Sequence, residues 1–91
     1  SYVTEALAAR EFITAGLEKL GVPYFPSQAN FVLMEVGKNS LAIRDRLREQ
    51  GILVRDRSYE IAGCVRVTVG TREQARRFLD AFAALWKEYR A

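Results

Sequence analysis

The chain has 91 residues, of which 49% are hydrophobic and 27% charged, with no histidine and one cysteine. That is the length of one domain with a modest core, and apolar residues recur along it too densely for a disordered chain. The net charge of +3 comes from Lys and Arg mixed with Asp and Glu, so no basic stripe points to nucleic acid, and no apolar stretch approaches the roughly 18 residues of a membrane span.

The first segment, Tyr2 to Leu20, reads as a helix. Val3, Ala6, Leu7, Ile13, Leu17 and Leu20 recur at steps of three and four, and Gly21 and Pro23 end it. It begins without a clear cap and without a signal-peptide layout, as expected of a piece cut from a longer polypeptide. Val22 to Phe25 is short and extended, and Pro26, Ser27 and Gln28 make a turn. Asn30 to Val36 is apolar on both faces apart from Glu35, which predicts a central strand. After a turn at Gly37 to Asn39, either Asn39 or Ser40 can cap a helix over Leu41 to Gln50, and Gly51 follows at its exit.

Ile52 to Arg55 predicts another strand, and Asp56 to Gly63 a polar loop. Cys64 to Val69 alternates cleanly, with Val65, Val67 and Val69 on one side and Cys64, Arg66 and Thr68 on the other. Thr71 and Gln74 have the spacing of a capping box, and Phe78, Leu79, Phe82, Leu85, Trp86 and Tyr89 stripe the helix behind it. The order α-β-β-α-β-β-α, with no repeat or linker, predicts one α+β domain over residues 1–91. It should be a small, mostly antiparallel sheet with helices packed mainly on one face.

Much chemistry is excluded. Without histidine there is no histidine triad and no histidine metal site. The six glycines are scattered rather than gathered in a phosphate loop. Lys19, Lys38 and Lys87 fall on helix surfaces or a turn, where nothing would tune them for Schiff-base chemistry. Cys64 sits in an apolar strand and reads as a small buried residue; a lone cysteine also suits a cytosolic setting. Arg72, Arg76 and Arg77 read as a solvated helix face.

Arg66 is the exception to the bland pattern. If the three valines face the helices, Arg66 points the other way, onto a surface to which the strand at Asn30 to Val36 also gives apolar residues. An arginine so placed either grips an anion, its planar fork matching a carboxylate with two parallel bonds, or pairs internally with Asp56, Glu60 or Glu35. Arg55, on the neighbouring strand, shares that face or is a solvated strand end. Asn30, at a strand start, is either a turn-satisfying amide or a substrate-side contact. The residues alone leave these choices open, and with them the choice between part of an enzyme and a free-standing module that senses a small anion or docks a protein on its open face.

Three stretches carry a resemblance: Pro26-Ser27-Gln28-Ala29-Asn30-Phe31-Val32-Leu33, Gly51-Ile52-Leu53-Val54-Arg55-Asp56 and Gly63-Cys64-Val65-Arg66-Val67-Thr68-Val69-Gly70-Thr71. In order and spacing they resemble the C-terminal small domain of histidinol-phosphate aminotransferases, fold-type-I enzymes that use pyridoxal phosphate. The similarity runs from about Phe12 to Trp86. The resemblance implies a homodimeric cytoplasmic parent enzyme of histidine biosynthesis. That enzyme exchanges histidinol phosphate and 2-oxoglutarate for imidazole-acetol phosphate and glutamate. Its large domain would hold the cofactor on a lysine, and the present chain would close over the substrate. The arginine matching Arg66 would bind the substrate's anionic group, typically the α-carboxylate of glutamate, and the one matching Arg55 would serve the same anion-binding region. The cofactor lysine, the aspartate facing the pyridine nitrogen and the phosphate loop belong to the large domain. The chain alone is therefore expected to bind no cofactor and to be inactive, and its expected partners are that large domain and a small anionic substrate.

Overall fold

The structure, a computed structural model, describes residues 2–26 and 30–90. Seven main elements follow one another: α1 (Tyr2–Leu20), β1 (Tyr24–Pro26), β2 (Phe31–Glu35), α2 (Ser40–Glu49), β3 (Val54–Asp56), β4 (Cys64–Thr68) and α3 (Arg72–Tyr89). A 3-10 turn at Gly37–Asn39 leads into α2. The expected α+β order is present. Of the turn expected at Pro26 to Gln28, Pro26 ends β1, and Ser27 and Gln28 lie outside the described residues.

The four strands form one sheet in the order β1-β2-β4-β3, with every neighbouring pair antiparallel. β2 and β4 are central, β2 as its apolar faces predict. Val32, Met34, Val54, Val65 and Val67 all point to one side, where they are buried with Ile13, Leu17, Ile43, Leu47, Phe78 and Phe82. All three helices therefore cover the same face of the sheet. No helix among the described residues is long and apolar enough to cross a membrane.

In α1 the buried line is Ala6, Ala9, Ile13 and Leu17. Val3 and Leu7, expected in that line, are instead 59% and 38% exposed. They stand roughly 60° and 100° around the helix from Ala6, on the flank opposite Ala9, and so miss the core. The other flank carries Gly16, where a Cβ would stand 2.6 Å from Leu79 Cδ1. That missing side chain lets α1 lie close against α3, the helix with which it shares its main interface.

Two boundaries shift for physical reasons. Neither Asn39 nor Ser40 caps α2 with its side chain; the 3-10 turn feeds the helix directly, and the Ser40 N–H donates to the Gly37 carbonyl. β3 starts at Val54 rather than Ile52, because the Ile52 N–H still donates to Leu47 of α2 at 3.2 Å. At α3 the expected capping box forms: the Gln74 N–H donates to Thr71 Oγ1, and Gln74 Oε1 accepts from the N–H groups of Thr71 and Gly70. The stripe of α3 packs as read, with the rings of Phe78, Phe82 and Trp86 stacked in series at 5.5 and 5.7 Å.

Candidate functional site

The site is the sheet face that the helices leave uncovered. Alternation along β4 sends Val65 and Val67 into the core and Arg66 and Thr68 to this open face. Pairing then lines up one rung across all four strands. Phe25 of β1 is opposite Leu33 of β2, Leu33 is opposite Arg66 of β4, and Arg66 is opposite Arg55 of β3. The rung thus runs from two apolar side chains to two guanidinium groups. Phe25 is 47% exposed, Arg55 is exposed, and Leu33 and Arg66 are half-buried.

The internal partners that the sequence allowed for Arg66 are engaged elsewhere or do not reach it. Asp56 accepts from both the Ser58 N–H at 2.9 Å and the Ser58 hydroxyl at 2.6 Å. Those two bonds hold its carboxyl below the ordinary aspartate range, hydroxyl first and backbone second. Glu60 pairs with Arg57. Glu35 shares the open face but forms no ion pair with Arg66. Arg66 instead lies over the ring of Phe31, with Cζ 4.4 Å from the ring centre. Its Nε is buried without a hydrogen-bond partner. Two like charges on directly opposed strand positions destabilise a sheet unless something neutralises them. A pair of opposed arginines without an acid between them is an arrangement whose repulsion an anion from outside would relieve.

The hairpin that joins the two arginine-bearing strands is braced from within. The Arg57 N–H donates to the Cys64 carbonyl, and the Cys64 N–H donates to Ile61. At its end, Gly63 has φ +77°. A Cβ there would come within 3.0 Å of Gly37 Cα. The Gly63 carbonyl accepts from the N–H groups of both Val36 and Gly37. The start of β4 is thereby tied to the end of β2, which fixes the register that sets Arg66 opposite Leu33.

The remaining candidates divide as follows. Asn30 is half-buried at the start of β2, three residues from the arginine rung. It lines a cavity of about 360 Å³ with Thr68, Gly70 and Thr71, beside the N-terminus of α3. Cys64 is fully buried, and burial, reinforced by the Glu35 carboxylate opposite, pushes its thiol above the ordinary range. That is the reverse of what a nucleophile needs. Lys19, Lys38 and Lys87 are all exposed. No cluster of metal ligands exists among the described residues. Of the three arginines read as a solvated face, Arg77 does more: it donates to the Gln50 carbonyl at 3.0 Å and closes the end of α2. The sequence reading also missed Phe31, whose ring engages Arg66. The signal was its two-residue offset from Leu33, which places it on the same face.

The chain is 42% identical over 76 residues to a histidinol-phosphate aminotransferase of Symbiobacterium thermophilum, covering 82% of this chain and 21% of that protein. It is 38% identical over 86 residues to one of Escherichia coli, covering 90% of this chain and 24% of the relative. The chain thus spans between a fifth and a quarter of the curated relatives it matches. Among solved structures, the histidinol-phosphate aminotransferase of Clostridium acetobutylicum superposes with a TM-score of 0.78 at 22% identity, over 93% of this chain and 27% of that one, which shows the shared fold. The profile of the family described as aminotransferase class I and II matches residues 1–82. By that match, and by the relatives that share its sequence, the chain belongs to the class I and II aminotransferases.

Proposed function

We propose that this chain is the substrate-clamping small domain of a transaminase that uses pyridoxal phosphate, of the histidinol-phosphate aminotransferase type. The observation that carries the reading is the rung in which Arg66 and Arg55 stand side by side on an uncovered sheet face with no acid between them. On this reading a large domain of the same polypeptide covers that face. It brings the cofactor and its lysine, and the substrate is held between the two. The parent is a homodimer in the cytoplasm and serves histidine biosynthesis.

The chemistry of amino transfer comes from the cofactor, and no step of it is assigned to the residues of this chain. What Arg66 contributes is orientation. A carboxylate held by two parallel bonds from one guanidinium loses its rotational freedom, so the reacting carbon is presented in one pose, and positioning of this kind supplies several kcal/mol. Arg55 adds positive charge one strand away, where a second carboxylate or a phosphate would lie. Asn30 is proposed as a substrate-side contact, because its cavity includes Thr68, which shares the face of Arg66.

The test is made in the full-length enzyme that contains this domain. Arg66→Ala should lower kcat/KM for glutamate about a hundredfold or more, the usual consequence of leaving a desolvated anion without its partner. Unchanged kinetics would refute the assignment. Calorimetry on the 91-residue chain gives a second check. Micromolar binding of glutamate or phosphate without any cofactor would favour a free-standing anion sensor instead.

A further inference from the structure

We propose that Phe31 is a positioning residue for Arg66, holding the guanidinium by its ring face so that the two terminal nitrogens, and not Nε, meet the anion. The inference rests on the anion-binding role proposed for Arg66 and adds to it a residue and an orientation. Phe31 pairs with Thr68 and Arg66 with Leu33, so the ring and the guanidinium are diagonal neighbours on one face of the β2–β4 pair. Diagonal neighbours in an antiparallel sheet are within reach of one another when one is aromatic and the other long. The contact is made, with Cζ 4.4 Å from the ring centre.

Two forces act on Arg66 in the same sense. The electron-rich ring face attracts the cation from the β2 side. Arg55, directly opposite on β3, repels it from the other side. The side chain is thus drawn toward β2, which leaves space between the two arginines. The buried Nε marks how the group is turned: that N–H faces protein and has no partner. A buried donor left unbonded calls for a reason. In this orientation the guanidinium keeps its contact with the Phe31 ring. The edge left for a ligand is the one carrying both terminal nitrogens, which can donate two parallel bonds to a carboxylate. Arginine is a flexible side chain, and one already ordered loses less freedom when the ligand arrives.

The experiment uses the full-length enzyme with glutamate as substrate. Phe31→Leu keeps an apolar side chain but removes the ring face. It should raise the KM for glutamate about tenfold with kcat little changed, and Phe31→Tyr should restore it. Replacing Phe31 by 3,4,5-trifluorophenylalanine keeps the ring and its packing while draining its negative face. KM should rise again with the melting temperature held, a response that a purely structural role does not give, and this variant serves where Phe31→Leu fails to fold. If Arg66→Ala cripples glutamate turnover while the fluorinated variant matches the parent, Phe31 does not position Arg66 and this inference falls alone. If Arg66→Ala is itself silent, the anion-binding reading falls and takes the inference with it.

Discussion

A single cross-strand position accounts for most of the functional argument. Arg55 and Arg66 face each other on adjacent strands, a placement of like charges that lowers the stability of the sheet and that the proposed anion would neutralise. The consequence can be measured. Arg55→Glu turns a repelling pair into an attracting one and should raise the urea stability of the 91-residue chain by about 0.5 kcal/mol, a modest gain because Arg55 is exposed. The same change should abolish productive substrate binding in the full-length enzyme. Unchanged or lower stability would mean that Arg55 does not repel Arg66 in the parent sheet. Of these residues the sequence revealed Arg66, because a guanidinium interrupting three alternating valines has an unmistakable direction. It could not reveal that Arg66 lacks an acid. That outcome depends on Asp56 being engaged by Ser58, on Glu60 being engaged by Arg57, and on a pairing register no local pattern encodes.

At the level of helices and strands, periodicity made the order legible, while tertiary hydrogen bonds moved the ends. Ile52 has the side chain of a strand residue but is held by the exit of α2. Val3 and Leu7 have helical spacing but the wrong azimuth for the core. The hairpin between β3 and β4 shows how a backbone position can govern a site some residues away. Gly63, at φ +77° and against the backbone of Gly37, allows its carbonyl to gather two N–H groups from the end of β2. Gly63→Ala should therefore cost at least about 1 kcal/mol in chemical denaturation, from left-handed backbone strain with backbone crowding added. In the full-length enzyme it should also weaken glutamate binding, since it loosens the register that sets the arginine rung. An alanine variant as stable as the parent would show that the contact with Gly37 relaxes at no cost.

For the molecule as a whole, the telling property is asymmetry: among the described residues, three helices lie on one side of the sheet and none on the other. The uncovered side carries Phe25, Phe31 and Leu33 next to the arginines, an apolar surface of the kind that seeks a cover. The isolated chain should accordingly self-associate at high concentration through this face. Phe25→Thr with Leu33→Thr should shift its sedimentation toward the monomer with little loss of stability, because neither residue belongs to the buried core and no like charge joins the arginine rung. Sedimentation of the parent chain as a monomer at every concentration would contradict this.

The outermost strands, β1 and β3, have three residues each. So short a margin offers an incoming chain too few free amide and carbonyl groups to extend the ladder, and this is a common defence against fibrous growth. Copies of this domain with that face bare would therefore meet flat against flat and separate again on dilution, rather than lengthening one another's sheets into an irreversible polymer.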